Sequence, residues 1–458
     1  MGLKTFIENW LTAIPDSFGT EINGHQLHSN KASSFQLRWS HITPPTSNES
    51  MSARTTSPKR RRTEEDVDIT PRSNRASTPA ALNDERLPLR LTNIPHMPPS
   101  ESSFASQDSR ATSPSRTTRS KSPVKNNNSF QVLDVPINPL ELEGNGLDLL
   151  NPDVHELYER LQDINDKESF IPGPIKDSIK STEKRAKDHW FIDEQGADGP
   201  ETLIALNREL QVLHNIRSEA KQCKLSDCSE ASWNMHVHMP LLKHALSGHL
   251  TVRVEPGMSA KIAAPFLPTA NGKATVVESK MVDFTLLLWL NKGRPHSSPH
   301  DPPHSEADGQ LIAGIATHIW NQPPEAQFVN QSIYAPLQFA PIACSIETKN
   351  PTSPNQGKLQ LSVWTAAWFK RISELLPNHK PPTIPLIHVV GHEWHISFAS
   401  FHGTHIEVAE ELAIGDTRTI IGLYQLIASL RKLGDWIETQ YRAWAEEVFV
   451  QSRETTPQ

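Results

Sequence analysis

Three side chains in this sequence have the types and the spacing to act together: Asp283, Glu347 and Lys349. Asp283 is a single acid inside an otherwise apolar strand that runs on as Phe284 to Leu290. Glu347 and Lys349 end a second apolar strand, Ile342 to Ile346. Side chains alternate along a strand, so Glu347 and Lys349 point the same way, about 7 Å apart. Acids at strand ends are rarely buried without a partner. If the two strands are neighbours, a divalent cation would relieve the repulsion between Asp283 and Glu347. Magnesium takes oxygen ligands, usually one or two carboxylates with water and phosphate oxygens. It polarises a phosphate and acidifies its bound water. A lysine beside it balances the charge that develops on the phosphate. The set is what metal-dependent phosphodiester hydrolysis requires. Two ordinary readings compete. Asp283 is then a structural acid bonded to backbone amides. Glu347 and Lys349 are then an exposed strand-end ion pair, which contributes little.

The elements around these residues follow from apolar periodicity. Val154, Leu157, Tyr158, Leu161 and Ile164 mark a helix over Asn151 to Ile164. Leu203, Leu206, Leu210, Leu213 and Ile216 mark a stronger one over Glu201 to Gln222, with Pro200 before it. Ser229 to Leu246 reads as a helix that Pro240 should kink or split. Strands are expected at Leu250 to Val254, Val276 to Leu290, Ile342 to Ile346, and over one long alternating span, Ile384 to Ser400. Asn291 to Asp308 is too polar and Pro-rich for core and reads as a loop. Leu361, Trp364, Ala367, Trp368, Ile372 and Leu375 face the core from a helix after Lys358. A last helix spans Thr417 to Phe449, with Asp416 as its expected N-cap. Helix, strands, helix, strand, helix is the order of an α/β mixed sheet covered on both faces.

Bulk composition separates a folded part from the rest. The chain has 458 residues, only 36% hydrophobic, with 37 prolines, which predicts a domain joined to a long segment without a core. A short amphipathic helix is expected over residues 1–16, since Phe6, Ile7, Trp10, Leu11 and Ile14 have helical spacing. Residues 17–129 are rich in Ser, Pro and Arg, bury too little apolar surface to order, and read as disordered. The folded domain then covers 130–450, with a tail at 451–458. Within the leader, Lys59-Arg60-Arg61-Arg62 reads as a nuclear-import signal for an import receptor, and a second basic cluster spans Arg116 to Lys125. The Ser-Pro sites beside these clusters would gain negative charge on phosphorylation.

Other classes fall away. The net charge of -7 rules out a chain that binds nucleic acid by bulk attraction. No apolar run of roughly 18 residues exists, so no membrane span is expected. Cys223, Cys228 and Cys344 are too few for a disulfide framework. Cys223 and Cys228 could pair or bind metal, but no second pair completes a zinc site. His236 and His238 diverge on a helix and do not converge on one ion. Gly391-His392-Glu393-Trp394-His395 lacks the spacing and the helix of a zinc protease.

A set of ordered blocks resembles a known family. Asp283 with Glu347-Thr348-Lys349 is similar to the D…(D/E)-x-K signature of the PD-(D/E)XK nuclease superfamily. A fungal group of nuclease-like proteins is resembled more closely. The shared stretches are Glu230 to His238 with Leu241-Leu242, Ser279 to Asp283, Pro336-Leu337, and Pro341 to Lys349. Gln360-Leu361 with Trp364, Gly391-His392 with Trp394, and Gly422 to Gln425 continue them. The resemblance spans about Phe130 to Phe449. It implies a restriction-endonuclease-like core, a four-stranded mixed sheet flanked by helices. It implies Mg2+ or Mn2+ on Asp283 and Glu347, with Lys349 catalytic. It also implies that Glu230 is an accessory acid and that Gln360 is a polar residue near the site. Val282 stands where the superfamily's proline would, and roughly sixty residues separate Asp283 from Glu347.

Three functions are compatible with these residues. The first is a metal-dependent nuclease, acting on DNA rather than RNA. The second is a nuclease-like domain that binds nucleic acid or protein in the nucleus without cutting. The third is a nuclear interaction protein of another fold. A DNA cleft needs a positive rim, for which Lys280, Lys349, Lys358 and Lys370 are the candidates.

Overall fold

The computed structural model describes residues 127–451, apart from 143–145, 194–198, 271, 273–274, 294–296 and 352–353. The expected helix over 1–16, the leader to residue 126 with Lys59–Arg62 and Arg116–Lys125, and all of the tail but Gln451 lie outside the described residues.

Among those residues, eight strands form one mixed sheet. They are β1 (Ile137–Leu140), β2 (Val252–Pro256), β3 (Phe284–Leu288), β4 (Ile342–Lys349), β5 (Ile384–Val390), β6 (Glu393–Phe401), β7 (Ile406–Ala409) and β8 (Leu412–Asp416). The order is β1-β7-β6-β5-β4-β3-β2, with β8 also pairing to β6. The contiguous set β2-β3-β4-β5 contains two antiparallel pairs and one parallel pair, β4 with β5. This is the expected four-stranded mixed sheet, and four further strands widen it. Every residue of β3 and β4 is buried, as strands covered on both faces should be.

The helices include α1 (His155–Asn165), α2 (Pro200–Leu225), α3 (Glu230–Trp233), α4 (Met239–Ala245), α5 (Glu306–Trp320), α6 (Pro354–Leu375), α7 (Ile420–Trp436) and α8 (Arg442–Phe449). Helix α6 packs on one face of β4, where the indole of the fully buried Trp364 donates to Ser345 Oγ at 3.1 Å. On the other face, Thr348 meets Asn234 from the stretch between α3 and α4.

The expected break at Pro240 takes a specific form. Residues Asn234–His238 make a π-helical turn between α3 and α4, closed by Met239 N–H donating to Asn234 O. A proline cannot donate to the carbonyl four residues back. The ladder changes to the wider i→i+5 step just before Pro240, and the chain stays helical.

Four expectations need correction. Ile384 to Ser400 is two strands, because Val390 pairs with Glu393 across a two-residue turn whose Gly391 has φ +59°. That left-handed value is open to glycine at little cost. The polar loop after Asn291 ends at Ser305, whose side chain caps α5 through Asp308 N–H. The N-cap of α7 is Thr419, whose hydroxyl accepts from Gly422 N–H at 2.8 Å. Asp416 instead accepts from the amides of Arg418 and Thr419 and shapes the approach. Finally, the last helix is α7 and α8 joined by a π turn, Ile437–Tyr441.

Candidate active site

The site lies at the end of β4, where two helix starts and the head of β3 converge. Phe284 pairs with Ile346, and Asp283 N–H donates to Ile346 O at 3.1 Å. Asp283, just ahead of β3, lies close enough to Glu347 for its charge to raise the Glu347 carboxyl. The two acids distant in sequence are therefore neighbours.

Glu347 and Lys349 share a face, as their spacing requires. Lys349 Nζ is 2.7 Å from Glu347 Oε1 and 3.1 Å from Glu230 Oε2. The pair is not an exposed ornament: Glu347 is 1% exposed and Lys349 9%. Neither carboxylate oxygen of Glu347 has an aligned hydrogen bond, and its charged partner is Lys349. Burial, with the nearby charge of Asp283 behind it, pushes the Glu347 carboxyl up to about 8. Burial also raises the Asp283 carboxyl, although the Thr348 amide and hydroxyl oppose the rise. Burial pulls Lys349 down, but Glu347 and Glu230 outweigh it, and the ammonium is held above its usual value. The lysine is a cation here and not a base.

Glu230 opens α3, where Ser229 is the N-cap. Its carboxylate takes Lys349 Nζ through Oε2 and Asn350 N–H through Oε1, at 3.3 Å. Gln360, on α6, donates to Met281 O at 3.2 Å and to no carboxylate of the site. It ties α6 to the chain two residues before Asp283.

Sequence reasoning gave no role to the residues that hold Asp283. Asn234 Nδ2 donates to Asp283 Oδ1 at 3.0 Å. Thr348 donates to Asp283 Oδ2 through its amide and its hydroxyl, both at 2.8 Å. Asn234 already stands in one of the resembling blocks, and Thr348 is the middle residue of Glu-Thr-Lys. Those were the available signals. On the next strand, His388 pairs with Glu347, and its Nδ1 is 3.2 Å from Glu411 Oε1. Glu411 is in turn 2.9 Å from Lys358.

With this geometry in place, the comparison with known families is decisive. Residues 177–442, more than half of the chain, match the family model of the PD-(D/E)XK nuclease superfamily. The chain belongs to that superfamily. It matches no curated protein at a significant level. Nucleases of this superfamily generally use divalent metal ions. Among the described residues of this superfamily member, no three His, Cys, Asp or Glu side chains gather to hold a metal. The donor set still fits a magnesium-like ion, which needs only one or two protein carboxylates. Glu347 Oε2 is buried without a partner, and it faces a second acid that raises its proton affinity. A cation there would resolve both.

The expected positive rim is already engaged. Lys280 pairs with Glu278 at 3.2 Å and Lys358 with Glu411. Lys370 donates to the carbonyls of Pro265 and Leu267. Cys223 and Cys228 are free thiols. Among the described residues, no helix is long and apolar enough to cross a membrane.

Of the two histidines on the helix after Ser229, His238 is packed among aromatic rings. His238 stacks on Trp233 with ring centroids 5.7 Å apart and meets Trp394 edge-on at 5.4 Å. Burial pushes its pKa from 6.5 down to about 3. The fold therefore refuses a proton that the unfolded chain accepts. Stability from this group is intact above pH 6.5 and is lost as pH falls toward about 3. The slope is at most about 1.4 kcal/mol per pH unit. Urea unfolding of the parent and of His238→Phe at pH 7, 6 and 5 should show that component in the parent alone. Equal acid losses in both proteins would reject this assignment.

Proposed function

We propose that this domain is a divalent-metal-dependent phosphodiesterase acting on nucleic acid, on DNA in preference to RNA. The observation that carries the reading is the neighbouring pair Asp283 and Glu347, one buried with an unpartnered oxygen, beside a charged lysine. Asp283 and Glu347 would hold Mg2+ or Mn2+. When bound, the ion supplies charge that polarises the phosphate and acidifies a water molecule. The rest falls to the chain's own side chains. Lys349, kept protonated by two carboxylates, presents an ammonium to the phosphate oxygens and stabilises the charge that builds there. Glu230 is the accessory acid: it fixes the lysine from the second side and anchors the backbone at Asn350. Gln360 acts at one remove, by fixing the chain that leads to Asp283.

One observation favours a second reading, a nuclease-like domain that binds without cutting. Glu347 is almost completely enclosed and Lys349 already sits against it, so a substrate must displace part of this arrangement. Incubating labelled duplex DNA, single-stranded DNA and RNA with the full chain and Mn2+ separates the two. Metal-dependent cleavage, reduced at least ~10²–10³-fold by Asp283→Ala, is the expected result. Nucleic-acid binding with no cleavage under any metal would replace the first reading by the second.

The basic run Lys59–Arg62 supports a nuclear site of action through an import receptor. Alanine at these four positions should abolish nuclear accumulation of the tagged chain, and unchanged accumulation would remove this part of the proposal.

A further inference from the structure

We propose that Asn234 and Thr348 are positioning residues that leave Asp283 only one free lone pair, making it a one-oxygen metal ligand and biasing the site against calcium. The inference rests on the reading of Asp283 as a ligand.

A carboxylate has about four acceptor directions. Asp283 Oδ2 takes two donors from Thr348, the amide and the hydroxyl, at 2.8 Å each. Asp283 Oδ1 takes one, from Asn234 Nδ2 at 3.0 Å. The Thr348 hydroxyl also lies 2.8 Å from Asn234 Oδ1, but it has a single proton. An ionised carboxylate is the stronger acceptor, so Asp283 takes it. Three of the four directions are then filled, and the one that remains is on Oδ1.

The clamp is built and not incidental. Asn234 is 3% exposed and Thr348 2%, so neither side chain has water as an alternative partner. Asn234 is the first residue of the π turn, a local widening that is common at functional positions. Thr348 is carried by the same strand as Glu347 but faces the opposite side of the sheet, which is why it meets Asn234 and not Lys349.

The consequence for the ion follows from coordination chemistry. Mg2+ and Mn2+ accept single carboxylate oxygens in a near-octahedral shell. Ca2+ is larger, takes six to eight oxygens, and commonly uses both oxygens of one carboxylate. An Asp283 with Oδ2 filled cannot bind in that two-oxygen mode. Removing the Thr348 hydroxyl frees a lone pair on Oδ2 and opens it. Removing the Asn234 amide leaves Oδ2 filled but lets the carboxylate turn.

Calorimetric titration of the full chain with MnCl2 and with CaCl2 tests this without any turnover. The parent should bind Mn2+ tighter than Ca2+. Thr348→Val should narrow that ratio at least ~10-fold, chiefly by tighter Ca2+ binding, while Thr348→Ser, which keeps the hydroxyl, should restore it. Asn234→Leu should weaken both ions ~10–100-fold, the range for lost orienting partners. Far-UV circular dichroism confirms that each variant is folded, and Thr348→Ala, which also removes the hydroxyl, carries the test with the same expected ratio if Thr348→Val is not. If Mn2+ binds the parent but not Asp283→Ala, and Thr348→Val keeps the parent's ratio, the clamp is wrong and the ligand stands. If Asp283→Ala binds Mn2+ as well as the parent does, the ligand reading itself fails.

Discussion

Glu347→Gln should give a protein that is more stable than its parent without metal and that hydrolyses no phosphodiester. The parent encloses a carboxyl that is 1% exposed, has no aligned hydrogen bond, and faces Asp283. Its proton affinity is raised from 4.5 to about 8. Between those values the folded chain holds a proton that the unfolded chain has released. Stability from this group is therefore highest at acid pH and declines as pH rises through the window, flattening above about 8. Glutamine is neutral throughout and removes that decline. At pH 7.5 the gain should be roughly 1–3 kcal/mol, reduced by the loss of one of the two carboxylates around Lys349. Metal reverses the comparison: an ion at 100 times its Kd stabilises the parent by about 2.7 kcal/mol and leaves the variant unmoved. Thermal melts at pH 5.5 and 7.5, with and without Mn2+, give all four numbers. A variant that melts below the parent in EDTA, or that still gains stability from Mn2+, would show that Glu347 is neither a destabilising buried carboxyl nor a metal ligand.

That result would also explain why this part of the site is legible in the sequence. A carboxylate inside an apolar strand is expensive to bury, so Asp283 and Glu347 announce themselves by type and position alone. Alternation along β4 was enough to put Lys349 on the face of Glu347. Their meeting across β3 and β4 could be stated only as a condition, because strand adjacency is a tertiary fact. Asn234 had no such signal. It lies among Trp233, Met235 and His236 on what reads as an ordinary helix, and its aim at Asp283 depends on a π turn that side-chain periodicity does not report. Gln360 was legible as near the site, but its partner, Met281 O, is a backbone atom that no side-chain pattern encodes.

The same division holds for the fold. Long amphipathic stretches such as Glu201 to Gln222 were recovered because burial dictates period and face. Ile384 to Ser400 merged into one span because both arms alternate and the turn between them is only two residues, with Gly391 the single clue. The outer strands β1, β7 and β8 were missed for a different reason. They are four or five residues long, too short for period to stand out, and they form because β6 offers an edge to β7 and β8, and β7 in turn to β1. Helix α5 was hidden by the Pro/His/Ser loop before it, although Ser305 and Asp308 make a cap that local chemistry can show.

Gly357→Ala, a single methyl in the first turns of α6, should damage both stability and activity. By intrinsic propensity the change should favour the helix by about 1 kcal/mol. The tertiary setting reverses that sign. The added Cβ would lie 2.5 Å from His388 Nε2, 2.8 Å from His388 Cδ2 and 3.0 Å from Lys349 Cγ. These are not free ends. The His388 ring is 3% exposed and is tied through Nδ1 to Glu411, which is itself held by Lys358. The Lys349 stem is fixed by two ion pairs at its tip. Something must shift, and overpacking of this kind costs roughly 1–3 kcal/mol. A displacement of about 1 Å at Lys349 is enough to lower turnover by ~10²-fold. The second variant decides whether the clash is the cause. His388→Ala removes the ring that the new methyl would strike. In Gly357→Ala/His388→Ala the two stability losses should therefore sum to more than the observed total, with a coupling of about 0.5–3 kcal/mol. Denaturant unfolding of the parent, both single variants and the double closes the cycle. Strict additivity would mean that the glycine is there for another reason, and that α6 does not hold Lys349 in place by close approach.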